Sequence, residues 1–269
     1  MKKSEKIKLL ISSPWKILNS GLNVQKEEYY HERNLKRYGM DRLPTVDLCE
    51  LFPCFSETVH NYTYLDGTSL PVDIMLLKSL ARQYERCAYL EIGSWRGESL
   101  SNIYEVTDDC TSVTLSEAEM LQIGKNINYA KVHGIFTKNL KDLKTIEQNS
   151  RSFDFGSLNR KFDLIFIDGD HSYEGVLNDT RKTLSLRRNS KSVIVWHDYG
   201  MSTEMVRYSV LAGILDGIPK ELHQNLYHVS NTLCAVYIEN GSFNTYFTNF
   251  PSTPNKVFTI EMRAHKKGE

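Results

Sequence analysis

From about residue 87 onward the chain alternates short apolar runs with amphipathic stretches. CAYLEIG (87–93), TSVTLS (111–116), LKTIEQN (143–149), FDLIFID (162–168) and SVIVWHD (192–198) are each too short for a buried helix and read as buried strands. Between them, GESLSNIYEVTD (97–108), EAEMLQIGKNINYA (117–130) and YEGVLNDTRKTLSLRR (173–188) read as helices. In the last of these, Val176, Leu177, Thr180 and Leu184 fall at the spacing of one buried face. TEMVRYSVLAGILDGI (203–218) predicts a further helix, stopped by Gly217 and Pro219. NLYHVS and LCAVYIE (225–239) predict a closing strand pair that turns near Asn231.

This rhythm predicts an α/β fold with a doubly wound, mostly parallel, seven-stranded Rossmann-like sheet and an antiparallel C-terminal edge. Residues 1–75 do not join it and are expected to form an amino-terminal arm and helical or irregular cap on a domain spanning 76–269. A helix within TYLDGTSLPVDIMLLKSLARQ is expected to lead into the first strand. The segment Lys6–Leu18 reads as a solvated arm or a weak amphipathic surface helix.

Composition narrows the function classes. The 269 residues carry 33 Lys+Arg and 33 Asp+Glu, a formal net charge of zero. Phosphate backbones select a basic excess, so nucleic acid is not expected as an obligatory partner. No stretch reaches the ~20 apolar residues of a membrane span, and the apolar run LLI near the start is too short for a secretory signal. The five cysteines are odd in number, and CELFPC has no second pair at zinc spacing, which suits reduced thiols and a cytoplasmic location.

Chemistry concentrates where two predicted strands end. In an open parallel sheet, ligands bind outside the carboxyl ends of the strands. FDLIFID runs directly into Asp168, Asp170 and His171, and SVIVWHD ends in His197 and Asp198. Neighbouring strands lie about 5 Å apart, so adjacent tips would let Asp168, His197 and Asp198 share one divalent ion. An oxygen-rich set suits Mg²⁺ or Mn²⁺ better than zinc. Each residue also has a plainer reading: Asp168 as a helix cap, His171 as a satisfied surface histidine, and Asp170 as the cap of the helix at Tyr173. The first strand ends YLEIGSWRGES, with Trp95 where a dinucleotide fingerprint needs glycine, so a phosphate cradle is not expected and a plain turn is the simplest alternative.

The E-x-G-x-x-x-G spacing at 91–97, with FDLIFIDGDHSYEGVLNDT and SVIVWHDYG, resembles class I S-adenosylmethionine-dependent methyltransferases. Within that class it is similar to the bacterial family that includes metal-dependent sugar O-methyltransferases. The likeness covers about residues 87–200 and leaves the cap unexplained. It implies that Glu91, Gly93 and Gly97, with Ser94 and Ser99, lie beneath the methionine part of S-adenosylmethionine. Asp168 would be the first metal carboxylate and would also border the cofactor. His197 and Asp198 would be the second metal pair, with histidine replacing the usual carboxylate. His171 falls where catechol O-methyltransferase has its lysine base. Asp154, with Ser152 as rival, would sit near the adenine. The usual ribose-binding acid of the second strand is missing: Thr114 holds the position, and Glu117 or Ser116 is the substitute.

The resemblance thus implies an O-methyltransferase with S-adenosyl-L-methionine and Mg²⁺ or Mn²⁺ as cofactors. Its acceptor would be a hydroxyl of a small molecule or glycan, a sugar in the first place, and a homo-oligomer is compatible with it. The aromatic-rich stretches EEYYHERNLKRYGM and HNYTYLDG would cover the site or pack on the sheet. Two rivals are a nicotinamide or nucleotide-sugar α/β enzyme, disfavoured by the missing fingerprint, and a catalytically silent scaffold of the same fold.

Overall fold

The computed structural model describes residues 14–266, with side chains from residue 21 onward. Most of the Lys6–Leu18 segment lies outside the described residues. Helix α1 (Pro14–Tyr38) is followed by the two-residue strand β1 (Thr45–Val46), the single turn α2 (Leu48–Leu51) and α3 (Pro71–Ala81). The alternating core then runs β2 (Tyr89–Ile92), α4 (Glu98–Tyr104), β3 (Cys110–Thr114), α5 (Glu117–Gln122), α6 (Ile127–Lys131), β4 (Lys144–Glu147), β5 (Leu164–Ile167), α7 (Tyr173–Leu184) and β6 (Val193–Trp196). A small hairpin, β7 (Gly200–Ser202) and β8 (Met205–Val206), precedes α8 (Tyr208–Gly217). The chain closes with β9 (Leu226–Val229), β10 (Ala235–Tyr237) and β11 (Thr245–Tyr246).

The main sheet has nine strands in the order β11-β1-β9-β10-β6-β5-β2-β3-β4. β6, β5, β2, β3 and β4 are mutually parallel, and β10 runs antiparallel to both β6 and β9. The seven strands read from the sequence are all present. Two more extend the β9 side: β1, out of the cap, pairs in parallel with β9, and β11 pairs antiparallel with β1. Two-residue strands carry too little periodicity to be seen in sequence.

Period-two alternation divides the strands between two cores. Leu90, Ile92, Ile165, Ile167, Ile194 and Trp196 pack with Val176, Val210, Leu211 and Ile214 of α7 and α8. Tyr89, Leu164, Phe166, Val193 and Val195 pack on the other face with Leu76, Leu77, Leu80, Leu100 and Ile103 of α3 and α4. The helix expected over 117–130 is two helices. Gly124 takes a φ of +85°, ending the first, and Asn126 caps the second by accepting from Tyr129 N. The helix expected from residue 203 begins only at Tyr208, because 200–206 form the hairpin.

The cap's aromatics mostly pack. Tyr30 stacks on Tyr173, Tyr38 sits edge-on to His223, and the Tyr62 hydroxyl donates to Ser69 O. All five cysteines are free thiols. Among the described residues, no helix is long and apolar enough to cross a membrane.

Candidate active site at the tips of the central strands

The loop after β2 is built around two glycines in left-handed backbone. Gly93 has a φ of +86°, and a Cβ there would come within 2.5 Å of Gly169 Cα as well as against the Asp168 carbonyl. Gly97 has a φ of +85° and starts α4 against the Thr137 side chain. Gly93 therefore lets the loop after β2 pack directly on the backbone of Asp168 and Gly169, holding the tips of β2 and β5 together beside the partly exposed Asp168 side chain. Below it, Glu91 is fully buried, accepting from the Tyr89 hydroxyl at 2.5 Å and the Ser99 hydroxyl at 2.9 Å. Burial, aided by the nearby Asp168 charge and only partly offset by those two donors, pushes the Glu91 carboxyl up to about 8. Ser94 is bound to Ser112 at 2.8 Å. Trp95 stacks on Tyr129 at 4.2 Å and carries the Arg96 guanidinium on its face.

The second half of the site comes from β5 and β6. Their register pairs Ile167 with Trp196, and continuing it sets Asp168 beside His197. Asp168 N donates to Ile92 O and His197 N to Ile167 O, so the ladder holds both residues just past the strand ends. His197 Nδ1 lies 3.1 Å from Asp168 Oδ1 and 3.5 Å from Asp198 Oδ2. One ligand atom from each of Asp168, His197 and Asp198 lies within 4.8 Å of the others. Asp198 has a φ of +58°, an uncommon backbone for aspartate, and its Oδ1 and carbonyl both face Arg207.

The electrostatics are those of a cation hole. Burial raises the Asp168 carboxyl, with His197 pulling the other way. Burial opposes a charge on His197, but Asp168, Asp198 and Asp73 outweigh it and raise the imidazole well above its usual value. Asp198 is lowered to about 2 despite burial, by His197, His171 and Arg207. His197 Nδ1 is buried yet makes no hydrogen bond of proper geometry, although two carboxylates stand before it. An orphaned nitrogen facing two carboxylate oxygens fits a divalent cation.

The remaining expected residues are placed unevenly. His171 is exposed just beyond Asp168, within electrostatic reach of Asp198. Asp170 binds Ser172 N and Oγ, each at 2.9 Å, and Arg151 at 2.6 Å, while Ser172 itself caps α7. Thr114 is buried at the end of β3. Ser116 is spent in a capping box with Glu119, whereas Glu117 is exposed in the first turn of α5. Asp154 is not brought to the strand tips. It caps the 3-10 turn Phe155–Leu158 by accepting from Gly156 N, in a groove shared with Lys161, Ser185 and Leu186 near the start of β5 and the end of α7. The chain from 150 to 153 is drawn along α7 by Lys182, whose ammonium donates to three of its carbonyls. Ser152 is exposed and turned back on Asn149 O.

Two site residues escape the sequence reading. Asp73, on α3, is fully buried and reaches His197 Nε2 at 3.1 Å. Arg207 precedes α8 and pairs with Asp198 at 3.3 Å. The one available signal is for Asp73, a lone carboxylate inside the apolar run LPVDIMLL.

Comparison with known proteins bears on the same segment. Residues 90–199, from β2 through the turn after Asp198, match the family model described as "Methyltransferase domain". Uncharacterized protein R132 of Acanthamoeba polyphaga mimivirus is 28% identical over 145 residues, 49% of this chain and 62% of that protein. The chain thus spans less than two thirds of the length of the curated relative it matches. Among solved structures, the SAH-bound methyltransferase PaMTH1 of Podospora anserina aligns at 18% identity and a TM-score of 0.47, over 67% of this chain and 83% of that one. The O-methyltransferase of Bacillus cereus in complex with SAH aligns at 17% identity and a TM-score of 0.44, over 65% and 84%. Residues 90–199 are thus similar to a methyltransferase domain, and the matched segment runs through the parallel strands β2 to β6 at the centre of the doubly wound sheet.

Proposed function

We propose that this protein is an S-adenosylmethionine-dependent O-methyltransferase that acts on a hydroxyl of a small molecule or glycan, a sugar in the first place, with a divalent ion held by Asp168, His197 and Asp198. The observation that carries this reading is the convergence of those three residues at strand tips packed against the Gly93 loop.

S-adenosylmethionine, when bound, supplies a methyl group on a sulfonium. Gly93 and Gly97 shape its bed, with Ser94, Ser99, Thr114 and Glu117 along the same strand ends. Glu91 braces the loop from below through Ser99. A divalent ion at the carboxylate–imidazole set supplies positive charge that makes a nearby alcohol more acidic. His171, at the exposed mouth, accepts the acceptor's proton as a general base. The chain's own contribution to rate is alignment and this proton transfer. Likeness to sugar-modifying methyltransferases, stated above as a resemblance, supports the sugar acceptor.

The test is transfer of radiolabelled methyl from S-adenosylmethionine to a panel of sugar, nucleotide-sugar and phenolic acceptors, with and without exhaustive chelation. Labelled product that disappears in EDTA and returns with added divalent ion supports the reading. Full methylation in EDTA removes the ion, and S-adenosylmethionine binding without turnover on any acceptor favours a silent scaffold.

A further inference from the structure

Asp73 lies outside the matched segment, on the cap-side helix α3, yet its carboxylate is part of the site's foundation. Its Oδ2 accepts from Leu70 N at 2.9 Å and meets His197 Nε2 at 3.1 Å, while its Oδ1 accepts from Leu233 N at 2.9 Å. A carboxylate holding two backbone donors is an acceptor for the third contact as well, so Nε2 carries the hydrogen. In the neutral imidazole Nδ1 then presents its lone pair toward Asp168 Oδ1 and Asp198 Oδ2, with no hydrogen bond of its own. Three electron-rich atoms facing one another repel unless a positive charge lies among them: a proton on Nδ1 when the site is empty, or a metal ion in that proton's place.

We infer that Asp73 is a positioning residue that fixes His197 as a nitrogen ligand through Nδ1, and that the resulting one-imidazole, two-carboxylate set selects Mn²⁺ over Mg²⁺. The inference rests on the metal-assisted reading above and deepens it. Imidazole binds first-row transition dications far better than it binds Mg²⁺, which favours oxygen ligands and retained water. A carboxylate behind a ligating histidine sets its tautomer and raises its basicity, typically worth 10–100-fold in metal affinity. Asp73→Asn removes the charge behind the histidine: its amide oxygen best faces Leu70 N and Nε2, which keeps the hydrogen on Nε2, while the loss of the carboxylate lowers the basicity of Nδ1 and with it the metal affinity.

The experiment titrates Mn²⁺ into the full chain, followed by loss of the free-ion electron paramagnetic resonance signal, with Mg²⁺ affinity measured by competition. No acceptor and no turnover are needed. Mn²⁺ is expected to bind at least about tenfold tighter than Mg²⁺, and D73N to weaken Mn²⁺ about 10–100-fold. The thermal midpoint in EDTA checks that D73N folds. Should it not, His197→Asn provides the second arm, with the Mn²⁺/Mg²⁺ ratio expected to fall toward one, a readout that a purely structural histidine would not move. Equal affinity for the two ions in the unaltered chain, an unchanged Mn²⁺ affinity in D73N, or an unchanged ratio in H197N overturns the inference. Tight, Asp73-dependent Mn²⁺ binding by a chain that transfers no methyl group would instead sink the methyl-transfer reading and leave this one standing.

Discussion

Gly93 and Asp168 meet backbone to backbone: a Cβ on the glycine would lie inside contact distance of the Asp168 carbonyl and within 2.5 Å of Gly169 Cα. The loop after β2 and Asp168, proposed here as cofactor loop and metal carboxylate, are therefore one mechanical unit. Gly93→Ala adds both a left-handed alanine, at roughly 1–2 kcal/mol, and an unrelieved backbone clash. The expected result is a loss of about 2–4 kcal/mol in urea unfolding. Mn²⁺ and S-adenosylmethionine affinities should fall together, measured by titration on the folded fraction. Loss of one without the other would show the two strand tips to be independent.

The helical layer over the same strands has a comparable close approach. A Cβ on Gly213 would lie 2.8 Å from Val176 Cβ, and one on Gly217 would lie 2.5 Å from Thr180 Cγ2. These two glycines, one turn apart, bring α8 down onto α7, where Thr180 also accepts from the Trp196 indole at 2.8 Å. Gly217→Val is expected to cost about 1–3 kcal/mol by overpacking. Near-ultraviolet dichroism should report the displaced Trp196, and an unchanged Trp signal with full stability would refute the close-packing account.

Much of this was legible from residues alone, and the gaps have physical causes. FDLIFID and SVIVWHD announce themselves because strands buried on both faces are continuous apolar runs, and their polar ends mark the tips. Asp73 was not legible as a site residue, because its role depends on α3 packing under His197, a contact 124 positions away in sequence. Asp154 misled for the opposite reason: it stands at a plausible distance before the fourth predicted strand, but Lys182 draws the preceding loop along α7, away from the strand tips. β1 was missed because two residues show no period.

Glu91 makes stability depend on pH. Its folded carboxyl titrates near 8, against an ordinary 4.5, with burial as the main cause. Between those values the folded chain holds a proton that the unfolded chain has released, so stability is greatest at acid pH and falls as pH rises from about 4.5 to about 8. Glu91→Gln removes this slope while leaving a hydrogen-bonding group for Tyr89 and Ser99. Denaturation at pH 5 and pH 9 is expected to show the variant gaining relative to the parent by a few kcal/mol at the higher pH, an order-of-magnitude figure. A parallel pH dependence for both chains would place the Glu91 carboxyl in its ordinary range.

Asp216 is the clamp that holds the long amino-terminal helix to the domain. Its buried carboxylate accepts from Arg33, Tyr38 and Tyr173, joining α1 to α7 and α8, and these donors with the Arg33 charge hold its carboxyl low against the effect of burial. Removing it by Asp216→Ala leaves a half-buried guanidinium and two phenols without their shared acceptor, expected to cost about 2–4 kcal/mol. Limited proteolysis should show new cleavage within Pro14–Tyr38 before any within the sheet. Protection of that helix in the variant would mean that its apolar contacts suffice.

His171 offers the sharpest division between binding and chemistry. It is exposed, starts no strand and caps no helix, so its removal should leave the fold alone. If it takes the acceptor's proton, His171→Ala should lower kcat by about 10²–10⁴-fold, the usual range for a positioned general base. S-adenosylmethionine and Mn²⁺ affinities should remain within about twofold, since His171 belongs to neither the glycine loop nor the ligand set. Chemical rescue decides the matter further. Added imidazole should restore part of the variant's rate in proportion to its concentration and leave the parent's rate unchanged. A variant that loses cofactor affinity in proportion to its rate, or one that imidazole does not rescue, would assign the proton transfer elsewhere and leave His171 as a surface residue at the mouth of the site.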